Sequence, residues 1–428
     1  NIFSLEMNLG GGRNNSDEVL NNFNRNADNS LISEFVRLSD EQGNSFNQNY
    51  AFSYTRKFAK PRQELKLSAS LAQSEDNTDL NSNQSTDILQ RTSEDNGNQM
   101  IILQADYTHP LKDGWRVETG YKSIFRKVDN EFILEDWTNG TWTNNNNFSN
   151  DFRFYEKVLG AYGILFGKYK KLEFEAGVRV EQTYTTSELI NTQETFKNDY
   201  INAFPNGAIS YSLPKDQQIK ITYGRRINRP GFRQLNPFAN FSNPLTLRSG
   251  NPFLRPEYTS SYELGYLKDW KQVSFTGSVF YRGTTNVIQP IIRQLAGDTT
   301  LFAPQNIATS DNYGLEMIGS YRVGKWLTLN GDFSVFRMVV NAQNVDDQAL
   351  NDVISWNTRL NAIFNLPKSF RIQTMIFYRA PVATAQGTRK DMIMNSIGLS
   401  KVVLKNRGTF NLRISDVGKN MRFGGTVN

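Results

Sequence analysis

Cysteine is absent from all 428 residues, which excludes a disulfide scaffold and any thiolate-held metal. Histidine occurs once, as His109, so the commonest general base and metal ligand is almost missing. Neither G-x-S-x-G nor H-E-x-x-H is present, and the lone histidine sits beside Pro110 at an expected turn. An enzyme is therefore not expected, and neither is a resident metal or other cofactor. No EF-hand spacing occurs in the Asn-rich segments, so these read as solvated rather than calcium-binding. Charge of one sign is also scarce. The balance of 48 basic and 42 acidic residues leaves +6, spread along the chain without a Lys/Arg block, and no nucleic-acid partner is expected. Long apolar runs are missing too. The longest, Val158 to Phe166, is broken by Gly160, Tyr162 and Gly163, well short of the roughly 18 residues of a membrane-spanning helix. No basic-then-apolar leader opens the sequence, so a processed or truncated chain is expected.

A mean hydropathy of −0.54 suggests a water-soluble protein, but it would look the same if only every second residue met lipid. Period-two alternation dominates the sequence. Leu65, Leu67, Ala69 and Leu71 alternate with Glu64, Lys66, Ser68 and Ser70. Leu172, Phe174, Ala176, Val178 and Val180 alternate with Lys171, Glu173, Glu175, Gly177 and Arg179. Leu327 to Val335 and Phe410 to Ile414 repeat the pattern. One face is apolar, and the other carries charges and amides. No helical stripe of comparable length competes. The pattern predicts about 17 antiparallel strands, most of roughly 11 to 17 residues, longer than the ~9–11 that a tilted membrane strand requires.

The connections sort by length. Short turns are predicted near Ala59–Arg62, Pro110–Gly114, Gly167–Lys170, Pro214–Gln217, Asp269–Lys271, Val323–Lys325, Pro367–Ser369 and Asn406–Gly408. Long polar loops are predicted near Gly10–Phe46, Glu75–Gly97, Val128–Asp151, Ser187–Asn198, Arg229–Arg255, Pro290–Pro304 and Ala342–Asn351, with a shorter one near Ala383–Thr388. Short turns at one end and long loops at the other define an all-β, up-and-down transmembrane β-barrel of the bacterial outer membrane. The short turns would be periplasmic and the long loops extracellular. Trp115, Tyr169, Trp270 and Trp326 fall at short turns, where amphipathic rings would form a periplasmic girdle. Outer-membrane lipid is thus the first expected partner. The polar-face charges Glu173, Glu175, Arg179 and Glu181 would line the lumen.

One segment carries a denser pattern. Ile219 to Tyr223 leads into Arg225-Arg226-Ile227-Asn228-Arg229-Pro230, then Leu235-Asn236-Pro237-Phe238. Gly250-Asn251-Pro252-Phe253-Leu254-Arg255-Pro256-Glu257 follows, and Tyr262 to Tyr266 closes it. Near the end come Leu412 to Val417 and Met421-Arg422-Phe423. This resembles the barrel portion of TonB-dependent receptors, in particular the Bacteroidetes-type outer-membrane β-barrel family. The resemblance implies roughly 22 strands closed around an N-terminal plug, uptake of a scarce nutrient such as a metal chelate, glycan or peptide, and TonB as a partner through that plug. Residues 1–428 would then be one barrel domain, incomplete at both ends and without its plug. Strand parity puts four missing strands before and one after, or two before and three after. The alternative is a passive pore or a scaffold subunit in an envelope assembly with other envelope proteins.

Within the motif, Pro230 ends a strand and Gly250-Asn251-Pro252 is a turn. Glu257 is expected to pair with Arg225 or Arg229. Pro230, Pro237, Gly250, Asn251, Pro252, Leu254, Pro256 and Glu257 read as structural, folding an external loop back on the wall. Arg225, Arg226, Arg229 and Arg233 are the candidates for contacting an anionic substrate, and Trp137 and Trp142 for stacking on it.

Overall fold

A computed structural model describes residues 1–428 except 26–27, 86–87, 113, 239–245, 296–298, 346, 348, 419–423 and 428. Met421, Arg422 and Phe423 of the late pattern lie outside the described residues. The strands run in chain order as β1 (Ile2–Arg25), β2 (Leu31–Lys57), β3 (Glu64–Gln84), β4 (Ile88–Pro110), β5 (Arg116–Thr138), β6 (Thr141–Asn144), β7 (Asn150–Tyr169), β8 (Leu172–Leu189), β9 (Glu194–Leu213) and β10 (Gln217–Asn228). One helical turn, α1 (Phe232–Leu235), and β11 (Thr246–Arg248) follow. Then come β12 (Glu257–Asp269), β13 (Val273–Gln294), β14 (Thr300–Val323), β15 (Leu327–Asn341), β16 (Leu350–Leu366) and β17 (Phe370–Arg379). The chain ends with β18 (Val382–Thr384), β19 (Gly387–Arg389), β20 (Met392–Val403), β21 (Gly408–Ser415) and β22 (Gly425–Val427).

Among the described residues, one sheet holds nineteen strands and a small one holds β18, β19 and β22. In the large sheet β6 and β11 are rim pieces, and the other seventeen form an antiparallel meander in which each pairs with its neighbours along the chain. All eight predicted short turns fall between successive wall strands. Lys170, Lys215, Lys368 and Lys405 take positive φ there, between 53° and 64°, as tight reversals require.

The long connections differ from expectation. Gly10–Phe46 and Glu75–Gly97 are paired strand nearly throughout, since β1 runs to Arg25, β2 starts at Leu31, β3 runs to Gln84 and β4 starts at Ile88. The seventeen wall strands accordingly span 8 to 27 residues. At about 3.3 Å per residue and a tilt near 45°, the longest rises on the order of 60 Å, about twice the hydrocarbon thickness. Above the lipid neither face is selected to be apolar. Alternation vanishes, and Asn/Ser-rich strand looks like loop. The β5–β6 hairpin at Thr138–Thr141 turns on Asn139 (φ 52°) and Gly140 (φ 79°), the Asn-Gly chemistry of a type I′ turn, inside what reads as an irregular loop.

The sheet is curled. Asn236, in the β10–β12 connection, donates from Nδ2 to Asn130 Oδ1 on β5 (3.2 Å), and its carbonyl accepts from Gly250 N (2.7 Å). Next to Gly250, Asn251 donates from Nδ2 to the Pro304 carbonyl on β14 (3.2 Å). In a flat sheet β5 and β14 would stand about 34 Å apart, seven strand spacings. One loop bridges them, so its face is the concave one. Lys122, Arg179, Glu181 and Asn206 line a recess on that face. The convex face carries exposed apolar rows such as Leu264, Val279 and Leu315, which are cross-strand partners. So large an apolar surface is unstable in water and at home in lipid.

A paired substitution separates the two faces. Met317 and Ile318 are adjacent on β14 and about equally exposed, at 43% and 49%. Met317 is convex, in the row of Phe333, while Ile318 is concave, opposite Asp332. Met317→Arg should cost about 2–4 kcal/mol of stability in lipid vesicles, and Ile318→Arg under about 1 kcal/mol. Equal costs in reversible denaturant unfolding would contradict the assignment of faces.

Candidate functional site

The β10–β12 connection folds into the mouth of the curl. β10 stops at Asn228 because Pro230 has no N–H for the ladder. Gln234 Oε1 accepts from Gly231 N (2.9 Å) and starts the single turn α1. The second half of the motif then docks on that turn, with Gly250 N donating to Asn236 O (2.7 Å) and Asn251 N to Gln234 O (2.6 Å). Ser249 Oγ hydrogen-bonds the Pro237 carbonyl. Leu235 and Leu254, only 5% and 1% exposed, pack with Val128, Phe152, Phe154 and Leu189 of the wall. Burying each contributes about 1.5–3 kcal/mol. Pro230, Pro252 and Pro256 close over the same contact, beside Phe196 and Tyr200. β11 pairs in parallel with β14, Thr246 opposite Thr300.

Arg229 anchors the start of this loop. Its Nη2 lies 2.6 Å from Glu181 Oε2 and 3.0 Å from Thr183 Oγ1, and its Nε lies 4.0 Å from Glu156 Oε1. Arg179 Nε reaches the other Glu181 oxygen at 2.9 Å, and Arg126 Nη1 approaches Glu156 at 3.9 Å. Arg225 and Arg226 point to opposite faces, as successive strand residues must, and the Arg225 guanidinium lies over Tyr258 at 5.2 Å. The expected pairing of Glu257 with Arg225 or Arg229 is not made. Glu257 Oε2 accepts from Asn228 Nδ2 (2.6 Å) and Oε1 from Ile288 N (2.5 Å), capping backbone where β13 kinks at Asn286 (φ 54°). Arg229 has Glu181 within reach across the lumen face, so Glu257 is left to the backbone.

Of the predicted arginines only Arg233 opens onto the main recess in the mouth, a space of about 750 Å³. The loop supplies Phe232, Arg233, Asn236, Phe238 and Arg248 to it. The wall supplies Glu94, Asn130, Phe132 and Asn150, and the β13–β14 hairpin supplies Ile288, Pro290, Phe302 and Pro304. Sequence reasoning missed Asn130, Asn150, Arg248 and Phe302. No local motif marks them, and only the curl brings them together. The Trp pair lies elsewhere. Trp137 and Trp142 are cross-strand partners at the β5–β6 tip with ring centroids 5.2 Å apart, and Arg91 sits 4.7 Å over Trp142. His109, at the short-turn end of β4, has Nδ1 3.0 Å from the Tyr107 hydroxyl.

Arg91 also hydrogen-bonds Glu135, holding that carboxyl below its ordinary 4.5. A depressed folded-state pKa gives stability that is present above the unfolded value and lost as pH falls through the folded one. The exciton couplet of the two indoles in circular dichroism should hold from neutral pH to about 5 and fall below the unshifted value. Arg91→Gln should abolish that acid transition. An identical transition in the variant would assign it to another group.

Trp115 packs edge-on against Phe174 at 4.6 Å, and Tyr169, Trp270 and Trp326 stand exposed, all at the short-turn end. At the other end of the apolar band, Tyr223, Tyr262, Tyr281 and Tyr313 are directly opposed on four successive wall strands. The first pair stands 4.8 Å apart and the second 6.1 Å.

An apolar convex face, a charged concave face and a mouth built over by its own loops define an outer-membrane β-barrel. The chain belongs to the outer membrane protein beta-barrel family, whose model matches residues 56–428. It is located in the outer membrane, with the short turns periplasmic and the long hairpins extracellular. Comparison with curated proteins finds no match. Among solved structures it is similar to the copper transporter OprC, at 11% identity and TM-score 0.62 over 97% of this chain and 75% of that one. It is also similar to BauA, the ferric preacinetobactin receptor from Acinetobacter baumannii, at 12% identity and TM-score 0.60 over 99% and 71%. The ferric yersiniabactin uptake receptor FyuA from Yersinia pestis gives 10% and 0.52 over 96% and 70%. At these identities the likeness is one of fold.

Proposed function

We propose that this chain is the barrel of a TonB-dependent receptor that takes up a scarce nutrient across the outer membrane. The observation that carries the reading is the mouth. Loops from opposite walls meet there around a recess of about 750 Å³, within the usual range for a small-molecule site. A site of that size is what a receptor needs at its entrance, whereas diffusion through an open pore requires none. Neighbours of the same fold named as a transporter, an uptake receptor and a receptor support the reading. TonB engages through a plug, and the lumenal charges around Glu181 and Arg179 hold that plug. The two aromatic levels, Tyr223 to Tyr313 above and Trp115, Tyr169, Trp270 and Trp326 below, mark the two membrane interfaces. Catalysis has no part in this reading.

The test is growth on, or accumulation of, a limiting nutrient that requires the gene, compared with and without TonB. Loss of accumulation in both deletions is expected. Accumulation unchanged without TonB would overturn the proposal and favour a passive pore.

A further inference from the structure

The recess has an uneven chemistry. Arg233 and Arg248 reach it from the loop, each with its guanidinium over a phenylalanine ring: Phe232 at 5.7 Å and Phe302 at 5.8 Å. Among the described residues neither arginine has a carboxylate within ion-pair distance, unlike Arg229 beside it. Among the described residues the one lining carboxylate is Glu94, whose Oε1 accepts from Asn96 Nδ2 (2.9 Å) and Asn130 Nδ2 (3.0 Å). The wall contributes Asn150 to the same lining, 4% exposed, with an Oδ1 that has no hydrogen-bond partner. A buried acceptor without a donor is unfavourable, and a ligand N–H or O–H would satisfy it. Phe132, Phe238, Ile288 and Pro290 add apolar surface to the lining.

We propose that the recess binds a small organic anion that carries a flat apolar portion and an N–H or O–H donor. The anionic group meets Arg233 and Arg248, the ring lies among the phenylalanines, and the donor reaches Asn150 Oδ1. Two guanidiniums backed by rings line the recess, and each can bind a planar carboxylate through paired N–H donors. This assignment rests on reading the mouth as the receptor's binding face, but it concerns binding alone.

The test uses the full chain in detergent micelles and three probes titrated by calorimetry or saturation-transfer NMR. Hippurate carries a carboxylate, a phenyl ring and an amide N–H. N-ethylbenzamide removes the charge, and N-methylhippurate removes the donor. Hippurate should bind at least about tenfold more tightly than the neutral amide, and N-methylhippurate should fall several-fold below hippurate. Arg233→Gln with Arg248→Gln should erase the preference for the anion and leave the neutral amide unchanged. Asn150→Leu should erase the difference between hippurate and its N-methyl form. Both arginines are exposed, so the double variant should fold, and the single variants repeat the test in halves. Equal binding of anion and neutral amide, no binding of hippurate, or an anion preference that survives the double variant would overturn the proposal. TonB-independent uptake would overturn the transport reading and leave these affinities as they are.

Discussion

Replacing Arg229 by alanine should release the β10–β12 connection from the wall while leaving the barrel folded. The guanidinium is 21% exposed, and its carboxylate partners Glu181 and Glu156 are 12% and 11% exposed. Removing one partner of a buried ion pair costs about 3–5 kcal/mol when the other is left alone. Here Arg179 stays with Glu181 and Arg126 stays near Glu156, so neither carboxylate is orphaned. We therefore expect about 2–3 kcal/mol, confined to the loop. That corresponds to roughly 30- to 150-fold faster hydrogen exchange at the Gly250 and Asn251 amides, with wall amides unchanged. Arg229→Lys keeps the charge but cannot reach Glu181 and Thr183 with one fork, and should fall between. Pairing Arg229→Ala with Glu181→Gln separates the direct term, since the two losses should not add. Protection unchanged at Gly250 and Asn251 in Arg229→Ala would mean that Leu235 and Leu254 hold the loop alone.

The wall was legible where lipid imposes a rule. Leu172 to Val180 alternates because one face must be apolar, and the reversals at Lys170, Lys215 and Lys368 are compact because the strands on either side pair at once. Above the lipid that rule lapses. Asn44, Asn47 and Asn77 are paired strand residues, yet nothing in their spacing distinguishes them from a solvated loop. Asn139-Gly140 has turn chemistry that is local, yet reading Val128–Asp151 as one loop passes over it. The tyrosine level was hidden for a different reason. Tyr223, Tyr262, Tyr281 and Tyr313 are 19 to 39 residues apart in the chain and become a row only through register. The recess needed more still. Asn150 and Arg248 share no motif, and their meeting depends on the curl of the sheet. Glu257 shows the limit of pairing charges by sequence. Arg229 was close in the chain, but Glu181 held the better geometry and Glu257 went to Ile288 N.

Gly250→Ala tests whether the family motif builds the recess. A Cβ at this position would run into Asn236 O and lie 2.7 Å from Gln234 O. Both atoms are backbone carbonyls and cannot swing aside like a side-chain end. They are also the acceptors of the Gly250 and Asn251 amides, so making room for a methyl breaks the two bonds that dock the turn on α1. Each bond contributes about 0.5–1.5 kcal/mol, and parting the turn from α1 loosens the burial of Leu254 over Leu235. The sum is about 2–4 kcal/mol of loop stability, enough to leave the recess open in a large fraction of molecules. Gly224→Ala is the control, because no atom lies within 4 Å of a Cβ placed there, on β10 before the connection begins. Its effect should stay within about 0.5 kcal/mol. Hydrogen exchange at Asn251 and Leu254 should therefore rise sharply in Gly250→Ala and not in Gly224→Ala, and the affinity for hippurate should fall only in the former. If the two glycines behave alike, the close approach at Gly250 is not what shapes the mouth, and the recess must owe its form to the wall strands instead.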